Sequence, residues 1–286
     1  MTMLLEVSKL GKVFDGFRLG DVDFTLPRGY IMGLIGPNGA GKTTVIKLIL
    51  NMLQREQGEI KIAGRDVLEN EKAVKEGIGV VFDRHYFCED WNLKDVERAL
   101  APFYVTWDAE KYHELTGNFS LPRKLSIKSY SRGMQVKLML ACALSHGAEL
   151  LILDEPSSGL DPIARDELLT ILADYVSDGK KSVLFSSHIT SDLERIADYV
   201  TFLQKGEMVF SGGKDEFIDS FRRVTGGPKE LSLEQKKKVL GYRETPLHFE
   251  GMIRSGDEAL FSNVHTDLLR MEEIMVYSNG GGMLCE

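Results

Sequence analysis

A chain of 286 residues can bury a sizeable core, either as one large domain or as a domain with an appendage. Its 43% hydrophobic and 27% charged residues exclude a fibrous or disordered chain, and a formal net charge of −8 argues against nucleic acid as a direct partner, which needs a basic face. Cys88, Cys142 and Cys285 are far apart and form no CxxC pair, the pattern of incidental thiols in a reducing compartment; with no signal-peptide pattern and no apolar run of about 18 residues, the polypeptide is not expected to cross a membrane by itself.

In chain order, Leu4 to Leu10 and Asp21 to Leu26 have the apolar spacing of strands and predict a small antiparallel flank. Between them sits Phe14, which either offers its ring face to a purine or packs inward. Pro27-Arg28-Gly29 turns the chain into a short buried strand, Tyr30 to Ile35. The loop Gly36-Pro37-Asn38-Gly39-Ala40-Gly41-Lys42-Thr43 follows, and a helix from Thr44 to Leu53 comes next. Strand, glycine loop and helix in that order make a phosphate cradle. Glycines let backbone amides and the positive end of the helix converge on phosphate oxygens, Lys42 reaches the terminal phosphates, and the Thr43 hydroxyl ligates Mg²⁺.

Glu59 to Gly64 alternates as a strand, Val67 to Lys75 has a helical look, and Ile78 to Phe82 is a further apolar strand, so strands and helices alternate as in a mixed α/β core. From about residue 85 the character becomes helical: Asn92 can cap a helix running to Phe103, and Asp108 one running to Leu115. Ser131 opens another helix through Leu144. Leu150 to Leu153 then reads as a strand buried on both faces, ending in Asp154-Glu155 at the edge where open α/β sheets bind ligands. Pro162 to Ser177 is expected as a helix, Ser182 to Ser186 as a strand that runs into His188, Ser191 to Ala197 as a helix, and Tyr199 to Ser211 as a hairpin. Beyond Gly213 the expectation is a helix to Arg223, a solvated Lys-rich face at Gln235 to Lys238, strands near Leu247 to Ile253 and Ala259 to Phe261, and a helix from Asp267 to about Ser278.

The two carboxylates after the buried strand suit a nucleotide hydrolase: Asp154 holds the Mg²⁺ water shell, and Glu155 orients or deprotonates the attacking water. With these residues in place the chain resembles the nucleotide-binding subunit of an ATP-binding cassette (ABC) transporter. The cradle resembles Walker A, Tyr130-Ser131-Arg132-Gly133-Met134-Gln135 the LSGGQ signature, Leu150 to Pro156 Walker B, Ser158-Gly159-Leu160-Asp161 the D-loop, and His188 the switch histidine. The resemblance covers about residues 4–213 and implies an ABC ATPase fold: a P-loop core with a mixed sheet over 1–213, an antiparallel flank, a helical signature subdomain inserted at about 85–148, and a small α+β extension over 214–286.

By that resemblance Phe14 stacks on adenine, while Gly36, Pro37, Asn38, Gly39, Ala40, Gly41, Lys42, Thr43 and Thr44 bind ATP. Thr43, Asp83 and Asp154 serve Mg²⁺, and Glu155, His188 and Lys42 are catalytic. Asp161 of the D-loop is also expected to bind ATP, and Ser131 and Gly133 match signature positions that contact a nucleotide bound mainly by another subunit, which implies a homodimer or a heterodimer with a second cassette. The other implied partner is a transmembrane permease subunit on the inner face of the cell membrane. A groove on the helical insert, near Asp83 to Trp91, would receive it, and the likeness favours exporters of the multidrug and peptide type over importers. The rival reading is a soluble cassette acting on ribosomes or nucleic acid, or a weakly hydrolysing ATP switch. Two departures stand out: Asp83 replaces a glutamine, and Arg132 replaces a signature glycine, where it either adds charge near the phosphates or points to solvent, the second being the expectation.

Overall fold

The computed structural model describes residues 2–279; Cys285 and most of the glycine-rich end lie outside the described residues. Strands β1 (Met3–Phe14) and β2 (Phe17–Pro27) pair antiparallel. They are followed by β3 (Ile31–Ile35), helix α1 (Lys42–Ile49), β4 (Gln57–Ile62), the short β5 (Arg65–Asp66), α2 (Glu71–Glu76) and β6 (Ile78–Val81). The helical insert contributes α3 (Leu93–Leu100), α4 (Ala109–Asn118) and α5 (Arg132–Ser145). Then come β7 (Leu150–Asp154), α6 (Pro162–Val176), β8 (Ser182–Ser187), α7 (Thr190–Ile196) and the hairpin β9 (Tyr199–Gln204) and β10 (Glu207–Gly213).

These strands form one ten-stranded mixed sheet in the order β5-β4-β1-β2-β10-β9-β3-β8-β7-β6. Its run from β9 to β6 is parallel, and β2 joins β10 through a single parallel pairing, Gly20 with Glu207. Side-chain alternation explains why the central strands are apolar throughout. Leu150 and Ile152 of β7 face a core shared with Val45, Ile46 and Ile49 of α1 and with β1 and β2. Leu151 and Leu153 face the opposite core with α5 and α6. Each strand is therefore covered on both faces, as parallel sheets require.

The insert begins as its sequence predicts. Asn92 Oδ1 accepts the amides of Lys94 and Asp95, and the Asp95 carboxylate accepts the Asn92 amide, closing a reciprocal cap at the start of α3. Replacing Asn92 with alanine is expected to cost about 1 kcal/mol in urea unfolding, with no change in the slope of the transition.

The C-terminal expectations are met in part. The helix after Gly213 is α8 (Lys214–Asp219), and it stops before Arg223 because Phe221–Gly226 is recruited as β11. That strand pairs with Phe249–Arg254, and the buried Phe221 and Val224 anchor it; long-range pairing overrides a local helical look. The Lys-rich stretch is α9 (Leu233–Lys238), with Lys236 paired to Glu244 and Lys238 to Asp257. Strands β12 (Leu240–Glu244) and β13 (Phe249–Arg254) follow. Ala259 to Phe261 is no strand: it lies in a 3-10 turn, Ser255–Phe261, that carries the fully buried Phe261 inward. Asp267 ends β14 (His265–Asp267), so α10 (Met271–Asn279) starts later than expected. The four strands form a second sheet in the order β12-β13-β11-β14. Phe217, Phe221, Met252, Met271 and Ile274 join the same apolar cluster as Val200 and Phe202 of the main sheet.

Candidate functional site

The parallel register brings four strand ends to one edge. Walker A follows β3, Asp83 lies just beyond β6, Asp154 and Glu155 end β7, and His188 follows β8, all at carboxyl ends of adjacent strands. Between them opens a cleft of about 530 Å³ lined by Phe17, residues 38–44, Asp83, Glu155, Ser158 and His188. Gly36 adopts φ +153 where a Cβ would meet the Leu203 carbonyl at 2.3 Å, so only glycine lets the loop leave β3 there. Gly41 takes φ +109 as the residue before α1 and supplies no side-chain cap, which leaves the first amides of α1 open to the cleft. The tip of the β9–β10 hairpin braces the loop from behind, with Gly206 N donating to the Ala40 carbonyl at 3.1 Å.

Charge in the cleft is paired inward. Lys42 is 6% exposed, and its Nζ donates to the Gly36 carbonyl at 2.8 Å and lies 3.3 Å from Glu155 Oε1. The other oxygen of Glu155, Oε2, meets His188 Nδ1 at 2.6 Å. An ionised carboxylate only accepts, so this bond places a proton on Nδ1 and turns Nε2 away from Glu155. Glu155 itself sits at φ +49, an uncommon conformation for a residue with a side chain, held by its amide N–H donating to the Ser186 carbonyl.

Asp154 is buried, and its Oδ1 accepts both the Ser186 hydroxyl at 2.6 Å and the Thr43 hydroxyl at 3.2 Å. This is a hard-oxygen donor set of the type Mg²⁺ prefers. No group of three His, Cys, Asp or Glu side chains able to hold a metal occurs among the described residues. A cation here would therefore share its coordination with nucleotide phosphates, and the residues present fit that.

The expected site residues divide into those at this cleft and those away from it. Asn38 to Thr44, Asp83, Glu155 and His188 line it, with Asp154 hydrogen-bonded to Thr43; Gly36 and Pro37 do not line it, and their carbonyls instead accept from the Lys42 ammonium. Phe14 does not line it; Phe17 does, and Phe14 packs 6.1 Å behind that ring with Lys12 over its face. Ser131 caps α5 by accepting the Met134 amide, and Gly133 abuts Ala164. Asp161 caps α6, where the Ala164 and Ile163 amides hold its carboxyl below the usual range. None of these last three lines the cleft of its own chain. Arg132 does not point freely to solvent: its side chain is 22% exposed and meets Asp83 at 3.4 Å. Sequence reasoning missed Phe17, Ser158 and Ser186. Ser158 and Ser186 were visible as motif neighbours, whereas Phe17 depended on how far β2 leans over Gly41.

A glycine loop at a helix start, a carboxylate pair on the next strand but one, and a histidine joined to one of those carboxylates define a P-loop nucleotide hydrolase. The family model described as ABC transporter matches residues 19–158. The Uncharacterized ABC transporter ATP-binding protein YhcH of Bacillus subtilis (strain 168) is 34% identical over 228 residues, covering 77% of this chain and 73% of that protein. The Bacitracin transport ATP-binding protein BcrA of Bacillus licheniformis is 29% identical over 265 residues, covering 89% and 85%. A solved ATP-binding subunit of an ABC transporter is similar with a TM-score of 0.68 at 31% identity, over 74% of this chain and 91% of that one. The chain belongs to the ATP-binding subunits of ABC transporters, a family of ATPases.

Proposed function

We propose that this chain binds ATP with Mg²⁺ in the cleft and hydrolyses it to drive export through a separate transmembrane subunit. The observation that carries the reading is the single carboxylate of Glu155 bridging Lys42 and His188 at the mouth of the phosphate loop. In this reading the amides of residues 38–44 and the Lys42 side chain hold the phosphates, and Thr43, Asp154 and Asp83 serve the cation, which supplies charge neutralisation when bound. Glu155 takes the proton of the attacking water. His188, positioned by that same carboxylate, presents its remaining ring nitrogen to the terminal phosphate.

Ser131, Gly133 and Asp161 lie outside their own cleft, which supports a site completed by a second cassette, either a copy of this chain or a relative. We divide the chain into an ATPase unit over 1–213, with its helical insert at about 85–148, and a C-terminal unit over 214–286. A groove of about 210 Å³ lined by Phe82, Tyr86, Leu100, Tyr104 and Cys142 offers an apolar seat for the permease. No helix among the described residues is long and apolar enough to cross a membrane. Docking on the permease would place the chain at the inner face of the cell membrane, and the bacitracin-transport relative supports a transport role.

Copurification of the tagged chain with an integral membrane protein is expected. With MgATP, the Glu155→Gln chain should sediment as a dimer that reverts to monomer in EDTA. Recovery on ribosomes with no membrane partner would overturn the reading.

A further inference from the structure

We propose that Arg132 and Asp83 form one positioning device, in which the guanidinium cancels a carboxylate that would otherwise repel a polyphosphate in the cleft. The three carboxylates near the phosphate loop are handled differently. Asp154 is met by two hydroxyls, and Glu155 is met by Lys42 and His188. Asp83, 57% exposed at the cleft wall, is met by Arg132.

Arg132 is the first residue of α5, and its side chain is folded down rather than extended. Its Nη2 lies 3.4 Å from Asp83 Oδ1, and its Nε lies 3.5 Å from the carbonyl of Ser158, another cleft residue. Its Nη1 is buried with no partner among the described residues. A guanidinium most of the way out of water needs a counter-charge to stay there, and Asp83 is the one it faces. The converse holds for Asp83. A bare carboxylate beside nucleotide phosphates would weaken binding, and the adjacent cation removes that penalty. The two departures from the family pattern, at β6 and at the signature, are thus two halves of one ion pair. Through it the start of the signature helix is tied to the cleft of its own chain.

The inference rests on the assignment of the cleft to MgATP, so the test measures binding to the full-length chain rather than turnover. Arg132→Gln is expected to weaken ATP binding about tenfold, and more in EDTA than with Mg²⁺, because the metal offsets phosphate charge. Measured in EDTA, where Asp83 has no cation to serve, the double variant Arg132→Gln/Asp83→Asn is expected to return to within about threefold of wild type, and Arg132→Lys, which keeps the charge, to bind as wild type does. Thermal melts of each variant establish that it is folded. Undiminished binding by Arg132→Gln, a double variant as weak in EDTA as Arg132→Gln alone, or Arg132→Lys as weak as Arg132→Gln would overturn the pair. Failure of the wild-type chain to bind MgATP would instead overturn the cleft assignment, and the pair with it.

Discussion

Glu155→Gln is expected to lower ATP turnover by about 10²–10⁴-fold while nucleotide still binds. The carboxylate lies where a base can serve both the phosphate loop and His188, touching Lys42 through one oxygen and the imidazole through the other. Glutamine has the same shape and can keep an oxygen toward Lys42, so the cleft should stay assembled. It has no affinity for a proton, so water activation is lost. Alanine at this position is a poorer probe: it would strip the buried Lys42 of its carboxylate partner, and breaking a buried ion pair by removing one member costs about 3–5 kcal/mol. Phosphate release and nucleotide retention should be measured on the full complex. A wild type no faster than the glutamine variant would end the catalytic reading of Glu155.

Gly36→Ala is expected to abolish useful nucleotide binding and to destabilise the fold by about 3 kcal/mol, the sum of a backbone clash and a disfavoured dihedral. The obstacle is the Leu203 carbonyl, 2.3 Å from where a Cβ would stand and fixed in a strand paired on both sides. Gly39→Ala is the matched control. Gly39 also has positive φ, +80, but nothing lies within 4 Å of its Cβ position. Only dihedral strain of about 1 kcal/mol is therefore expected there. Urea denaturation and MgATP titration of the two variants should separate clearly; equal, mild losses would mean that the loop is not held against β9 as described.

Much of this site is legible in the sequence because its chemistry is local. The glycine loop, the Asp154-Glu155 pair and His188 each sit at the end of an apolar strand, and a parallel sheet brings such ends together whatever the loops between them do. The caps at Asn92, Asp108 and Ser131 are equally local, since a side chain there bonds amides two or three residues ahead. What could not be read depended on distant partners. Residues 221–223 look helical until residues 249–254 are there to pair with their strand, and Arg132 looks like a surface residue until β6 brings Asp83 beside it. Phe17 and Phe14 are separated by two residues at a strand turn, and only the lean of that turn over Gly41 decides which ring reaches the cleft.

The apolar cluster that runs from Val200 and Phe202 into Phe217, Phe221, Met252, Met271 and Ile274 has a consequence for how such chains diversify. Two hydrogen bonds cross the same seam: Gln204 Nε2 donates to the Ser278 carbonyl, and the Met271 amide donates to Glu194 of α7, the helix that follows His188. A tail joined only by a linker can be lost or exchanged between genes at no cost to the enzyme. Here any recombination near residue 213 would leave one face of β9 bare and the helix after His188 without its neighbour. Tails in this lineage should therefore be inherited together with the cassettes they cover, changing by small compensated steps on both sides of the seam.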